Sequence, residues 1–322
     1  MPGKTTAKPG EASPLRSPPL LVIVGPTAVG KTSLSLEIAS HFGVEIVSAD
    51  SRLFYQGMDI GTDKPSTAER QQIPHHLIDI CSPDETVSLG QYKRLAMEAI
   101  NEIHGRDRVP ILVGGTGQYV KAVVEGWSIP GVAPNFPLRE ALMKIGQPEI
   151  DHWLKVLDPV SSERIDPRNT RRVIRALEII LVKGVSASSF QRKTPPDFDI
   201  KTVGLECERE ILYQRVDDRV DRMMESGLLD EVTGLKRQGY DGNLSSMSGL
   251  GYRQLLAYLD GETTLDEAVE RIKFETHRFI RQQSNWFRLD DKAITWFDVT
   301  TPAWKELAVS HVQEWIGATN PR

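Results

Sequence analysis

Apolar residues recur along the chain in two alternating rhythms. "PLLVIVG" is a short continuous apolar run closed by glycine, the pattern of a strand buried on both faces. "KTSLSLEIASHF" follows with Leu34, Ile38 and Phe42 at helical spacing, then "VEIVSAD" predicts a second strand. "VSLGQYKRLAMEAINEIHGRDR" predicts a helix and "VPILVGG" another buried strand. Strands alternating with helices imply a parallel sheet with crossovers, an α/β class. Beyond Gly126 the pattern breaks. "WSIPGVAPNFPLR" is rich in proline, and helical periods run from there to about Ser189. Asp166-Pro167 predicts an N-cap with proline at the first helical position, and Gly184 a helix end. "PPDFDIKTVGLECE" returns to a strand pattern. Helical periods over Glu208 to Ser226, Leu228 to Gln238 and Thr264 to Phe287, with "AITWFDV" as a late strand, complete the picture. The expected organisation is a tail over 1–19, a core over 20–126 and 195–322, and a helical insertion over 127–194.

Composition narrows this reading. The opening "MPGKTTAKPGEASPLRSPP" is proline-rich and nearly devoid of apolar residues, so it is expected to be disordered, and it lacks a secretory apolar stretch. The 322 residues are 39% hydrophobic with a net charge of -5, so any nucleic acid must be met by a local basic patch. Cys81 and Cys207 are too few for a four-cysteine zinc site and point to a reducing compartment, the cytoplasm by expectation. No run approaches the ~18 apolar residues of a membrane span. Adjacent His75 and His76 on an extended segment point to opposite sides, which argues against their sharing a metal.

Chemistry concentrates in a few places. Gly25, Pro26, Thr27, Ala28, Val29, Gly30, Lys31 and Thr32 fit G-x-x-x-x-G-K-[ST] between a strand and a helix, the context that identifies a phosphate-binding P-loop. The expected fold is therefore a P-loop NTPase-like parallel sheet flanked by helices, with a helical insertion. Backbone N–H groups and the helix N-terminus face the anion, Lys31 adds a point charge, and Thr32 is a candidate Mg²⁺ ligand. Such a loop recognises clustered phosphates and does not require adenine. The strand "VPILVGG" ends in Gly114-Gly115-Thr116, a hydroxyl where a nucleotide hydrolase would carry an acid. Asp50, ending "VEIVSAD", is the acid at the carboxyl edge of the sheet. It could cap a turn, hold magnesium or take a proton, and spacing alone does not separate these. Arg168, Arg171, Arg172 and Arg175 fall on one face of a helix predicted over Pro167 to Lys183, a local footprint for RNA phosphates or a plain solvated face. "RIKFETHRFIRQQSNWFR" interleaves basic and aromatic residues in a manner suited to RNA.

Six blocks in order, "GPTAVGKT", "SADSRLFYQGMDIGTDKP", "HHLIDI", "LVGGTGQY", "RNTRRVIRALE" and "SGLGYRQ", resemble the tRNA dimethylallyltransferases, also called tRNA isopentenyltransferases, from about Leu20 to about Arg288. The resemblance implies transfer of a dimethylallyl group from dimethylallyl diphosphate to N6 of the adenine just 3′ of the anticodon, releasing pyrophosphate; Mg²⁺ is the cofactor expected from the P-loop and leaving-group chemistry, and a monomer is the default expectation. It further implies that the P-loop cradles the diphosphate, that Asp50 is the base, that Thr27 and Thr116 hydrogen-bond at the reaction centre or the diphosphate, and that Arg219 clamps the diphosphate with Lys31. Without the family, Arg219 reads as part of a solvated helix face. tRNA contacts are implied for Asp50, Ser51, Arg52 and Leu53, for Arg139 and the arginine stripe, for Ser248 to Arg253 including Gly251, Tyr252 and Arg253, and for Arg281 to Arg288. The sequence departs from the pattern at Leu53, where Gln is common, at Gln118, where Leu is usual, and at Gln282 and Asn285, where Arg and Thr are commoner. The alternative is a P-loop kinase of a nucleotide or small metabolite, which leaves the arginine stripe without a role. An enzyme prenylating free adenine nucleotides and a non-enzymatic RNA-binding switch explain less.

Overall fold

A computed structural model describes residues 17–319. Six parallel strands form one sheet: β1 (Pro19–Val24), β2 (Val44–Ser48), β3 (His75–His76), β4 (Val109–Val113), β5 (Asp199–Glu206) and β6 (Ile294–Asp298), in the order β3-β2-β4-β1-β5-β6. The expected parallel α/β sheet is what forms. β1 and β4 lie at the centre and read as unbroken apolar runs because helices cover both faces. Most of β1, Leu20 through Val24, is fully buried. β1 begins at Pro19, opposite Asp199, so the last residue of the stretch read as a tail is a strand residue, and Ser17 and Pro18 are also hydrogen-bonded. Residues 1–16 of that stretch lie outside the described residues.

Helices α1 (Lys31–His41), α2 (Thr67–Gln72), α3 (Leu89–His104) and α4 (Gly117–Val124) connect the first strands. Ser88 shows why α3 starts where it does: its hydroxyl accepts from the Gln91 N–H while Gln91 reaches back to the Ser88 N–H. The edge strand β3 is the "HH" pair. His76 meets the buried Glu45 carboxylate (2.7 Å), which Arg106 also clasps at 3.0 and 2.8 Å. Glu45 thus supplies the histidine with a partner other than a metal.

At Gly126 the chain leaves the core and returns at Thr194, whose N–H donates to the Gly126 carbonyl (3.1 Å), beside an antiparallel bridge of Trp127 with Lys193. Between them lie α5 (Phe136–Ile145), α6 (Gln147–Leu157), α7 (Pro159–Arg164) and α8 (Thr170–Lys183). They close on a hydrophobic cluster of their own, Leu142, Ile150, Leu154, Val173, Ile174, Ala176 and Leu177. The N-cap of α8 is Asn169, not Asp166 as the sequence suggests. Asp166 is instead consumed in a turn, accepting from the Arg168 N–H (3.0 Å) and guanidinium, which leaves Arg168 outside the helix. The chain then adds α9 (Arg209–Glu225), α10 (Leu228–Arg237), α11 (Tyr252–Leu259), α12 (Leu265–Gln283) and α13 (Trp304–Thr319). α12 stops at Gln283, short of the predicted Phe287.

Candidate active site

The carboxyl ends of β1, β2 and β4 open into a cavity of about 990 Å³, walled on the far side by α9, α11 and α12. Open α/β sheets bind ligands at this edge. The loop between β1 and α1 is shaped by Gly25, at φ 145°, where a Cβ would lie 2.6 Å from the Leu205 carbonyl of the adjacent strand. α1 begins without a side-chain cap, so its first N–H groups face the cavity unclaimed by a side chain. Lys31 folds back over the loop and donates to the Gly25 (3.0 Å) and Pro26 (2.7 Å) carbonyls. Burial pulls its ammonium down to about 8, with the Asp50 carboxylate resisting, Arg219 assisting and Asp63 resisting.

Arg219, on α9, reaches this loop: its guanidinium donates to Thr27 Oγ1 (2.9 Å) and Asp63 Oδ2 (3.1 Å), and its buried Nε has no partner among the described residues. The solvated-face reading of Arg219 is therefore excluded. Asp50 accepts from the Arg52 N–H at 2.9 Å, the turn-capping role, and still lines the cavity. Thr116 stands at the N-terminus of α4 without a side-chain capping bond, and also lines it.

Thr27, Ala28, Gly30, Lys31, Thr32, Asp50, Ser51, Arg52, Leu53, Thr116, Arg219, Gly251, Tyr252 and Arg253 all line this one cavity, as do Leu53's fellow departure Gln118 and Gln282. Gly25, Pro26 and Val29 shape the loop from behind, Val29 within the core. Several of these residues are already engaged. Arg52 donates to the Ser245 (2.9 Å) and Ser246 (3.1 Å) carbonyls, and Arg253 pairs with Glu275. Tyr252 is buried with its hydroxyl on Glu231 (2.6 Å), so its contribution is to packing.

The arginine stripe separates into two kinds. Glu178, fully buried on α8, takes a bidentate grip from Arg139 (2.9 and 2.8 Å), the Asn135 N–H (2.6 Å) and Arg175. Burial alone would raise this carboxyl, but the bonds from Arg139, Asn135 and Arg175 together hold it at about 2. Arg139 and Arg175 thus share one carboxylate, which engages both guanidinium groups and offsets one of their two charges. Arg168 pairs with Asp166 on the surface, while Arg171 and Arg172 are exposed and have no ion partner among the described residues. Arg281 sits on the Tyr213 hydroxyl (2.8 Å) and Arg288 pairs with Asp290, both outside the cavity.

Sequence reasoning missed three contributors, Arg215, Arg222 and Glu231, and placed Arg278 only within the basic and aromatic stretch. Arg215 and Arg222 share the cavity wall with Arg219 at helical spacing on α9, and Arg278 joins them from α12. Glu231 accepts from the Asp59 (2.8 Å), Ile60 (2.7 Å) and Gly61 (3.1 Å) N–H groups, fixing the loop that presents Asp63 to Arg219. The i, i+4, i+7 spacing on α9 was available in the sequence; the grip of Glu231 on a loop some 170 residues away was not.

Comparison with known proteins agrees with this geometry. The family model described as IPP transferase matches residues 53–290. A tRNA dimethylallyltransferase of Roseiflexus castenholzii is 52% identical over 274 residues, covering 84% of this chain and 90% of its own. One from Thermomicrobium roseum is 47% identical over 292 residues, covering 89% and 88%. Among solved structures, a tRNA isopentenylpyrophosphate transferase of Bacillus halodurans superposes with a TM-score of 0.69 at 38% identity, covering 94% of this chain and 96% of that one. A eukaryotic dimethylallyltransferase acting on tRNA superposes at 0.82 with 27% identity, covering 94% and 80%. With matches of this extent across sequence and fold, the chain belongs to the IPP transferase family of tRNA dimethylallyltransferases.

Proposed function

We propose that this enzyme transfers the dimethylallyl group of dimethylallyl diphosphate to N6 of the adenine 3′-adjacent to the anticodon of tRNA, releasing pyrophosphate. Family membership makes it a tRNA-modifying prenyltransferase, and no relative supports the kinase alternative. The observation that carries the fuller reading is the meeting of Lys31, Thr27 and Arg219 at one end of a cavity that Asp50 also lines. Its volume, about 990 Å³, is at the top of the range of ligand sites and leaves room for a donor and an extruded base together.

The C–O bond of an allylic diphosphate breaks as negative charge builds on the departing oxygens. Loop N–H groups, Lys31 and Arg219 stabilise that charge where it develops. Lys31 now spends its protons on two loop carbonyls and would turn to the diphosphate. As the adenine nitrogen bonds to the allylic carbon it sheds a proton, which Asp50 accepts. The Thr32 hydroxyl and the Asp63 carboxylate, which line the same cavity, would hold Mg²⁺ beside the donor diphosphate, leaving Asp50 to take the proton. No three His, Cys, Asp or Glu residues among those described form a cage of their own. When bound it would neutralise charge on the leaving group.

For the RNA we assign Arg171 and Arg172, free of ion partners among the described residues, to backbone phosphates. Arg168, Arg139, Arg175, Arg253, Arg281 and Arg288 must exchange protein partners to do the same. We place the enzyme in the cytoplasm as a monomer. Its cysteines are unpaired, and no helix among the described residues is long and apolar enough to cross a membrane. The test incubates the protein and Mg²⁺ with labelled dimethylallyl diphosphate and unmodified tRNA, beside γ-labelled ATP and small acceptors. Label in tRNA is expected; phosphate transfer to a small acceptor would overturn the assignment.

A further inference from the structure

We propose that Gln283, the last residue of α12, is a positioning residue that sets the diphosphate cradle for its ligand. Its side-chain amide is buried, 6% exposed, and bridges two turns distant in sequence. The Oε1 accepts from the Thr27 N–H of the phosphate loop (2.9 Å), and the Nε2 donates to the Gly115 carbonyl after β4 (3.1 Å). A Cβ on Gly115 would lie 2.4 Å from that nitrogen. A side chain at the second glycine of "GGTGQY" would displace the Gln283 amide from this bridge.

The chemistry of the bridge is selective. One end must accept and the other donate, which an amide does and neither a carboxylate nor an aliphatic chain can. Through Thr27, whose hydroxyl holds Arg219 at 2.9 Å, the bridge fixes the loop and a cationic clamp together. Through Gly115 it fixes the turn that carries Thr116. A cradle whose donors are already in place loses less on binding an anion than one that must first be ordered. Gln283 touches no reacting atom in this role. It acts through the Thr27 backbone, and it links the cradle to the helix leading into Ser284 to Arg288.

This inference rests on the donor site proposed above, and its test keeps the two apart. Binding of inorganic pyrophosphate and, separately, of unmodified tRNA is measured by calorimetry for the wild-type protein, Gln283→Met and Gln283→Glu. Wild-type protein that fails to bind pyrophosphate removes the donor reading, and this inference with it. With wild-type binding intact, Gln283→Met leaves the Thr27 N–H and the Gly115 carbonyl unpaired, and the pyrophosphate Kd is expected to rise about tenfold or more while tRNA affinity stays within about twofold. Gln283→Glu accepts but cannot donate, and adds negative charge beside the cradle. It is expected to bind more weakly still at neutral pH and to recover, relative to wild type, as acid protonates the carboxyl and restores a donor. Unchanged or tighter pyrophosphate binding by Gln283→Met, an equal loss of tRNA affinity, or no acid recovery of Gln283→Glu would each overturn the proposal.

Discussion

Removing Glu178 tests how the helical insertion holds together. The carboxylate has no exposure and accepts from two guanidinium groups and one backbone N–H, so Glu178→Ala leaves Arg139, Arg175 and the Asn135 N–H without their partner. Breaking a buried pair from one side costs about 3–5 kcal/mol. The two arginines are 27% and 34% exposed and remain partly hydrated, which places the loss near the lower end. The acid-base chemistry gives a similar figure. Burial opposes ionisation, yet the hydrogen bonds lower the carboxyl from 4.5 to about 2, equivalent to about 3 kcal/mol favouring the folded state. That contribution is fully present above the unfolded value of 4.5 and is lost as pH falls through about 2. Because α5 to α8 enclose a hydrophobic cluster separate from the sheet's, the loss should stay local. Hydrogen exchange of amides in α5 and α8 should therefore accelerate by roughly 10²-fold in Glu178→Ala, with β1 and β4 unaffected. Unaltered exchange in α5 and α8, or equal acceleration in the sheet, would refute the reasoning.

Other residues make separable predictions. Asp50→Asn keeps an acceptor for the Arg52 N–H but cannot take the adenine proton. Turnover should fall about 10²-fold or more with tRNA affinity retained, and near-normal turnover would remove Asp50 as the base. Arg171→Ala with Arg172→Ala should weaken tRNA binding and reduce the slope of log affinity against log salt by roughly 1–2, whereas an unchanged slope would return that face to solvent. Lys31, held down to about 8 by burial, should regain its proton when a diphosphate arrives. Proton uptake on pyrophosphate binding near pH 8–9, read from calorimetry in buffers of different ionisation heat, should therefore vanish in Lys31→Met. The same depression means folding stability should rise with pH between about 8 and the ordinary lysine value of 10.5, because the unfolded chain there binds more protons.

Local signals in the sequence determined the alternation of strands and helices, the P-loop and the acid after β2. Each depends on neighbours a few residues apart: apolar runs that must be buried on both faces, and glycines whose backbone must pass close to another strand. The sequence also carried the family through blocks spread over most of its length. What it could not decide was which charges remain free. Arg168 and Arg175 occupy equivalent-looking places in "RNTRRVIRALE", yet one is held by a turn aspartate outside the helix and the other by a buried glutamate. Arg219 looked like a surface helix residue until α9 packed against the loop at Thr27 and Asp63. Gln283 reads as one more polar residue at a helix end, and only the approach of Thr27 and Gly115 from other elements gives its amide two partners. Periodicity reports which face of an element is buried; the partner of a buried polar group comes from another element, and that pairing exists only after the chain has folded.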